Sequence, residues 1–425
     1  MSRLSAKSFL VFFFVIELYF SGLGAINYYP QFYQPRTFFG EPRLVQSGLT
    51  SIEVQLRGGH AFNGYDSNGN KVNVLGIYGP ENLVAIAQGV PALVLACNPE
   101  CILNNLWQSS PHSASAGKLA ITGKFSSTEF LPVFTQNFGH GFFASLSVPI
   151  KRLSVAGVNY TDLTLRGALG PEVSASDWQE TINAIESVMC CYGTHIGITK
   201  MVGLGDIQLF GGWTLNYEDT EVLDFIDATV ALGVNFSTSY RTNPSYVWAF
   251  PLGYDGHTGV PLVIAASVGI FDWFTVGVQT GALWFNNKIR YMHIKTAMDQ
   301  QGWIRLTRVP AHVKKGTIWH IDEYIKMDHL VGGFSLDLGF SHDHANRSTV
   351  TSLDQTVASR SIIESDERLA GWTMTAFHFV FEFDFATYDH PNVPRLALTI
   401  DKNIAGKRSF DTLLTGAYIA VDFEW

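Results

Sequence analysis

The residues best suited to chemistry fall into three small groups. Cys97, Cys101, Cys190 and Cys191 are the only thiols. In an oxidising compartment they can pair, but spacing does not decide between disulfides and free thiols. A zinc site wants Cys and His grouped closely in a small module. The second group is His342, Asp343 and His344 in SHDHAN, an imidazole–carboxylate set able to bind a transition metal. A solvated loop beyond a strand ending at Phe340 explains these residues as well. The third group is His140 and Ser145 in NFGHGFFAS with His257 in GYDGHTGVP. They could serve a serine hydrolase, yet no G-x-S-x-G elbow accompanies them. No catalytic residue, metal site or cofactor site is therefore expected, and the chain does not read as an enzyme.

The remaining ionisable groups are informative through their spacing. In GWTMTAFHFVFEFDFATYDH, Phe377, Phe379, Phe381, Phe383 and Phe385 alternate with His378, Val380, Glu382 and Asp384. Strand side chains point alternately to opposite faces, so one face is apolar and the other carries the ionisable groups. The last segment, TLLTGAYIAVDFEW, repeats the pattern. Leu413, Ala417, Ile419, Val421, Phe423 and Trp425 share one face, while Tyr418, Asp422 and Glu424 share the other. Similar alternation runs through Ile52 to Arg57, Lys118 to Lys124, Ile207 to Tyr217, Val230 to Ser239, Phe274 to Gln279, Phe334 to Ser341 and Arg395 to Asp401. Tyr217, Tyr240, Trp273, Trp284, Trp372, Tyr388 and Trp425 gather at segment ends, as rings do at a lipid–water boundary.

These segments exceed the ~5–6 residues of an ordinary strand and match the ~9–11 needed to cross a bilayer. Charged residues are 15% of the chain, below the ~25% of a soluble domain, which suits a wall with one face in lipid. The fold expected is all-β, a transmembrane antiparallel β-barrel of about 14 strands with 12 possible, carrying short helical insertions. A carboxylate facing hydrocarbon is costly. Asp337, His378, Glu382, Asp384, Arg395, Asp422 and Glu424 are accordingly assigned to the lumen.

Residues 1–25 carry Arg3 and Lys7, an apolar run from Phe9 to Ile16, and small residues at Gly22, Gly24 and Ala25. That is the layout of a secretory signal peptide. With a last strand ending AYIAVDFEW, the chain resembles the outer-membrane β-barrel proteins of Gram-negative bacteria. The resemblance implies an outer-membrane location, and an assembly machinery that reads Ile419, Val421, Phe423 and Trp425. More weakly, Gly203-Leu204-Gly205-Asp206 before an alternating strand is similar to a segment of uptake channels for fatty acids and aromatic hydrocarbons. A Gly-rich turn with Asp206 capping its own backbone explains it too.

Three stretches break the strand pattern. Residues 26–49 are rich in Pro and aromatics and read as a periplasmic or plug segment. Within the barrel at 50–425, insertions near 79–116 and 174–192 read as helical. In the first, Pro80 opens a short helix that Gly89 ends. In the second, Ser176 and Gln179 form a capping box, with Trp178, Ile182, Ile185 and Met189 on one face. At least one stretch is expected to occlude the pore partly. The function expected is passive passage or uptake of a small solute. The alternatives are a closed structural or adhesion barrel and, third, an outer-membrane hydrolase. The partners expected are outer-membrane lipid, the assembly machinery and an unidentified small solute. No clustered basic patch points to nucleic acid, and the formal charge is −9.

Overall fold

The computed structural model describes residues 49–89, 116–165, 168–169, 173–218, 223–271, 273–354, 356–385 and 394–424. The leader at 1–25, nearly all of 26–49, Cys97, Cys101, Tyr388 and Trp425 lie outside the described residues. Among the described residues no helix is long and apolar enough to cross a membrane.

Twelve strands close into an up-and-down barrel. In chain order the first six are Leu49–Ala61, Lys118–Gly139, Phe142–Ser147 continued by Ile150–Asp162, Thr199–Leu204 continued by Ile207–Glu218, Phe225–Phe236, and Gly259–Ile270. The rest are Phe274–Phe285, Ile318–Val331, Phe334–Ala345, Trp372–Asp384, Pro394–Lys407 and Leu413–Glu424. Each bonds antiparallel to its chain neighbours. The first pairs with the last from Leu49↔Glu424 to His60↔Leu413, so no wall edge is left open. The count is the lower of the two that the alternation allowed.

Alternation explains why these segments become this wall. Ile264, Leu398 and Phe381 are exposed, while Gln279 on the strand beside Ile264, and Thr399 and Glu382 next in sequence to Leu398 and Phe381, are buried. Ten or more residues of strict alternation over successive strands leave an apolar outer belt around a polar inner face. Tyr217, Trp273, Tyr240 and Trp284 lie exposed at strand ends, as expected, and Trp319 stands edge-on to Trp284 with centroids 6.3 Å apart. Trp372 departs from the expectation. It is 1% exposed and packs with Leu283, Ile318, Ala345 and Met374 inside the wall.

Connections differ sharply between the two ends. At the end holding Glu424, two hairpins turn in two residues, at His140-Gly141 and at Gly332-Gly333, where φ values of 56° and 93° suit a type I′ turn. The opposite end carries the long connections 62–117, 163–198, 237–258, 286–317 and 346–371. These build a cap containing two small three-stranded sheets and the helices Leu83–Gln88, Ala175–Asn183, Ile185–Cys191 and Arg360–Glu364.

Both expected helical insertions form, with different starts. The first helix begins at Leu83 under an Asn82 cap, whose side chain accepts the Ala85 N–H, and Pro80 lies before it. The second is capped by Ser174, which accepts the Asp177 N–H, rather than by Ser176 with Gln179. Trp178, Ile182, Ile185 and Met189 are buried, although the helix is interrupted at Ala184.

The cap core is continuous with the barrel. Leu83, Ile86, Trp178, Met189, Trp248 and Trp303 pack in one cluster with Leu119, Ile121, Phe125, Leu153 and Val155 of the wall. Leu119 and Ile121, the apolar residues of the Lys118 to Lys124 alternation, are thus buried under the cap rather than facing lipid. The 22-residue strand Lys118–Gly139 is long enough to rise past the lipid belt into the cap.

Candidate functional site: the inner wall and the mouth

The inward face mixes polar residues with two apolar patches, one of Phe143, Phe210, Ala231 and Val263 and one of Val380, Ala397 and Ala420. Asp337, His378, Glu382, Asp384, Arg395 and Asp422 alternate with exposed or half-buried apolar residues, and Glu382 and Asp384 are 5% and 7% exposed. Arg395 lies between two carboxylates, with Nη1 3.7 Å from Glu382 and Nη2 3.1 Å from Asp422, and the Tyr418 hydroxyl donates to Glu382. Asp337 stands opposite Lys326 in the register, and Asp384 opposite Arg395. Glu424 pairs through its backbone with Leu49. In the same strand Ile419 and Phe423 are exposed and Val421 is half-buried. Elsewhere Lys151 faces Glu129 at 3.7 Å, and Arg57 faces Asp401 at 3.7 Å. Several inward carboxylates are therefore held by a cation, which offsets the cost of burying them.

One inner cluster was not legible from sequence spacing. Ser341, His378 and Asp401 come from three successive wall strands. The Ser341 hydroxyl lies 2.6 Å from His378 Nε2, and His378 Nδ1 lies 2.7 Å from Asp401. That donor order is the one used by serine hydrolases. Here, however, Ser341 is only 4% exposed within the wall, so little of it is accessible to an acyl group. The SHDHAN motif that Ser341 opens is strand rather than a solvated loop, because Phe334–Ala345 extends through His342, Asp343 and His344. Asp343 turns inward to His320 Nδ1 at 2.8 Å, while His342 turns outward to Thr375 at 2.9 Å. Strand geometry thus separates this motif between two faces. The hydrolase-type residues do not converge either. His140 is in a tight turn, Ser145 bonds Thr135 at 3.0 Å, and His257 bonds the Asn286 carbonyl in the cap. Cys190 and Cys191 are exposed at the end of their helix.

Two adjacent wall strands break side by side at Val148-Pro149 and Gly205-Asp206, where Gly205 N–H donates to the Pro149 carbonyl at 2.7 Å. Asp206 does not cap its own turn. It is 4% exposed and accepts N–H bonds from Ser239 at 3.0 Å and Tyr254 at 2.6 Å. The Gly203–Asp206 segment therefore ties the connection 237–258 to the wall. A Cβ at Gly253 would stand 2.3 Å from the Asp206 carboxylate, so only glycine permits this approach.

Buried charges hold the mouth together. Glu81 is 1% exposed and accepts the N–H groups of Trp303 at 2.6 Å and Ile304 at 3.0 Å. Burial pushes its carboxyl up to about 7 against the pull of those donors and of Arg305 and Arg368. Asp366 receives Arg305 at 3.1 Å and Arg368 at 2.8 Å. Burial opposes its charge, but the two guanidiniums hold it well below the usual carboxylate range. Arg368 also donates to the carbonyls of Trp303 and His293. On the other side Arg290 pairs with Asp255, and burial pushes the neighbouring Lys315 down to about 8. Burial, helped by nearby cations, lowers His257 and His293 to about 4.

Between these ties lies a small recess of about 60 Å³, open to solvent. Tyr246, Phe250 and Trp303 wall it, and Arg290, Arg305 and Arg368 reach it. Tyr78 meets Trp303 edge-on there, with centroids 4.6 Å apart. Sequence reading missed Glu81, Arg305, Asp366 and Arg368. The available signal was a charged residue set among apolar ones, as in GWIRL and GPENLV.

No family model matches the sequence, and no curated relative matches it. Solved structures do show a likeness. An outer membrane channel from Pseudomonas putida F1 is 11% identical over 92% of this chain and 100% of its own, with a TM-score of 0.48. The NanC porin is 9% identical over 70% of this chain and 94% of its own, with a TM-score of 0.33. The toluene transporter TbuX of Ralstonia pickettii is 9% identical over 90% of each chain, with a TM-score of 0.31. At this level the likeness is one of barrel architecture.

Proposed function

We propose that this protein is an outer-membrane channel for the passage or uptake of a small solute. The observation that carries the reading is the two-faced closed wall, in which an apolar outer row surrounds a polar lining. A barrel closed in this way satisfies every wall backbone group in hydrocarbon and leaves a polar path as its interior. In this reading Asp337, His378, Glu382, Asp384, Arg395, Asp422 and Glu424 keep that path wet. Ile419, Val421, Phe423 and Trp425 serve assembly, and residues 1–25 direct export. The cap favours a restricted entrance over a wide diffusion pore, since its core descends onto Phe125 and Val155.

Single-channel recording tests the proposal. The refolded chain, inserted in a planar bilayer, should give small discrete current steps. Insertion verified by protease protection with no steps would favour the other reading, a closed barrel with a structural or adhesive role.

A further inference from the structure

We propose that the outer wall just below the cap is a docking surface for a lipid whose headgroup carries phosphate monoesters, with Arg152 and Lys200 as its anion-binding pair. This goes beyond passage of a solute and rests on the outer-membrane reading only for where the lipid is met. The register fixes the arrangement on three neighbouring strands. Phe130, Ile150 and Leu204 pair across them, and the first two are exposed on the outer face. Two residues higher the outward row is Thr128, Arg152 and Val202, and two higher again it is Ser126, Ser154 and Lys200. Arg152 and Lys200 are exposed and diagonal to each other on one face, which places their backbones ~7–8 Å apart. Arg152 stands ten residues along from Phe142, at the Glu424 end. On a wall tilted ~40° that is a height of about 25 Å, the span of the apolar band in such barrels. The long connections of these barrels lie outside the cell, so this edge meets the headgroups of the outer leaflet.

Charge then selects the occupant. Among the described residues no ion pair holds either cation, and acids on the same strands and in the connection above are engaged elsewhere. Glu129 faces Lys151 inside the wall at 3.7 Å, and buried Asp206 accepts backbone N–H groups. Asp162 accepts the Trp178 Nε1–H at 2.8 Å, and Glu186 accepts the Tyr160 hydroxyl at 3.0 Å. Like charges this close on one face repel, and an anion between them removes that cost. A phosphate monoester brings about −1.5 to −2 charges at pH 7 and three acceptor oxygens. A guanidinium takes two of them as a fork, and an ammonium adds a point charge. The hydroxyls of Thr128, Ser126 and Ser154 lie in the same two rows. Lys124, two residues above Ser126, extends the positive surface and lies over the Phe62 ring at 4.8 Å. A free phosphate would meet the cations alone, whereas the acyl chains of a lipid also cover Phe130 and Ile150 below them.

Native mass spectrometry of the refolded full chain in detergent reads lipid binding without a bilayer. Phosphatidate, a phosphate monoester, should bind at least about tenfold more tightly than phosphatidylglycerol, a diester with the same acyl chains. Arg152→Gln combined with Lys200→Gln should bring phosphatidate down to the phosphatidylglycerol level. Arg347→Gln, which removes an exposed cation elsewhere, should leave it unchanged. In lipid-free detergent the double variant should unfold at the same temperature as the parent or higher, because a repulsion has gone. Equal binding of the two lipids, an unaltered affinity in the double variant, an equal loss in Arg347→Gln, or earlier unfolding of the double variant would each overturn the proposal. Inorganic phosphate binding as tightly as phosphatidate would make this a free-anion site and overturn the lipid. Solute entry into vesicles separates the surface from the channel reading. Entry without the lipid preference sinks the docking surface alone, whereas the preference without entry sinks the channel and leaves the surface.

Discussion

Replacing Leu398 by arginine probes the assignment on which the membrane account rests. Leu398 is 61% exposed, between Ala397 and Thr399, which are each 4% exposed. It faces Phe381 on one neighbouring strand and Ala417 on the other, near the middle of Pro394–Lys407. If that row meets hydrocarbon, arginine there costs ~2–4 kcal/mol for the charge. Loss of the leucine from an apolar medium adds ~1.5–3 kcal/mol. The expected destabilisation is thus about 4–7 kcal/mol, a large share of typical stabilities of ~5–15 kcal/mol. Leu398→Met keeps the volume and should cost less than about 1.5 kcal/mol. The assay is denaturant unfolding of protein folded into phosphatidylcholine vesicles, followed by tryptophan emission. Leu398→Arg folding to within about 1 kcal/mol of the unaltered protein would refute the outward assignment and the two-faced wall with it.

Glu81→Gln should change how the mouth responds to pH. The folded-state value near 7 lies above the ordinary 4.5. The contribution of Glu81 is therefore full below about 4.5 and is lost as pH rises through about 7, by roughly 3 kcal/mol in all. His257 and His293 act oppositely, since values near 4 against 6.5 give stability present above 6.5 and lost as pH falls through 4. Removing Glu81 should leave amide-exchange protection at Trp303 and Ile304 rising more steeply between pH 4.5 and 7, and an unchanged slope would uncouple Glu81 from these amides. For the hydrolase-like chain of Ser341, His378 and Asp401, a fluorophosphonate probe should not label the folded protein. Labelling that disappears in Ser341→Ala would instead establish a reactive serine.

The wall was legible because one rule, alternation with period two, governs every strand and separates lipid from the interior. It placed Phe381 and Glu382 on opposite faces, and the structure keeps them so. The number of strands was less legible. Two wall strands are each broken in mid-course, at Pro149 and Gly205, and cap segments such as Arg308–Lys314 alternate as wall segments do. Period two cannot distinguish a hairpin in the wall from one above it. The same limit misassigned Leu119 and Ile121, where an apolar row meets the cap core instead of lipid. The mouth was least legible. Glu81 meets Trp303 and Ile304 from more than 220 residues away in sequence, and Ser341, His378 and Asp401 meet only because three strands are in register. Pairings of that range are set by closure of the barrel, which no local pattern encodes.

The central claim, a polar path for small solutes through this wall, is most directly tested by solute entry into vesicles carrying the refolded, correctly inserted chain. The account predicts entry of small solutes well above protein-free vesicles, falling off with solute size. Entry no faster than in protein-free vesicles, with insertion verified in the same preparation, would contradict it.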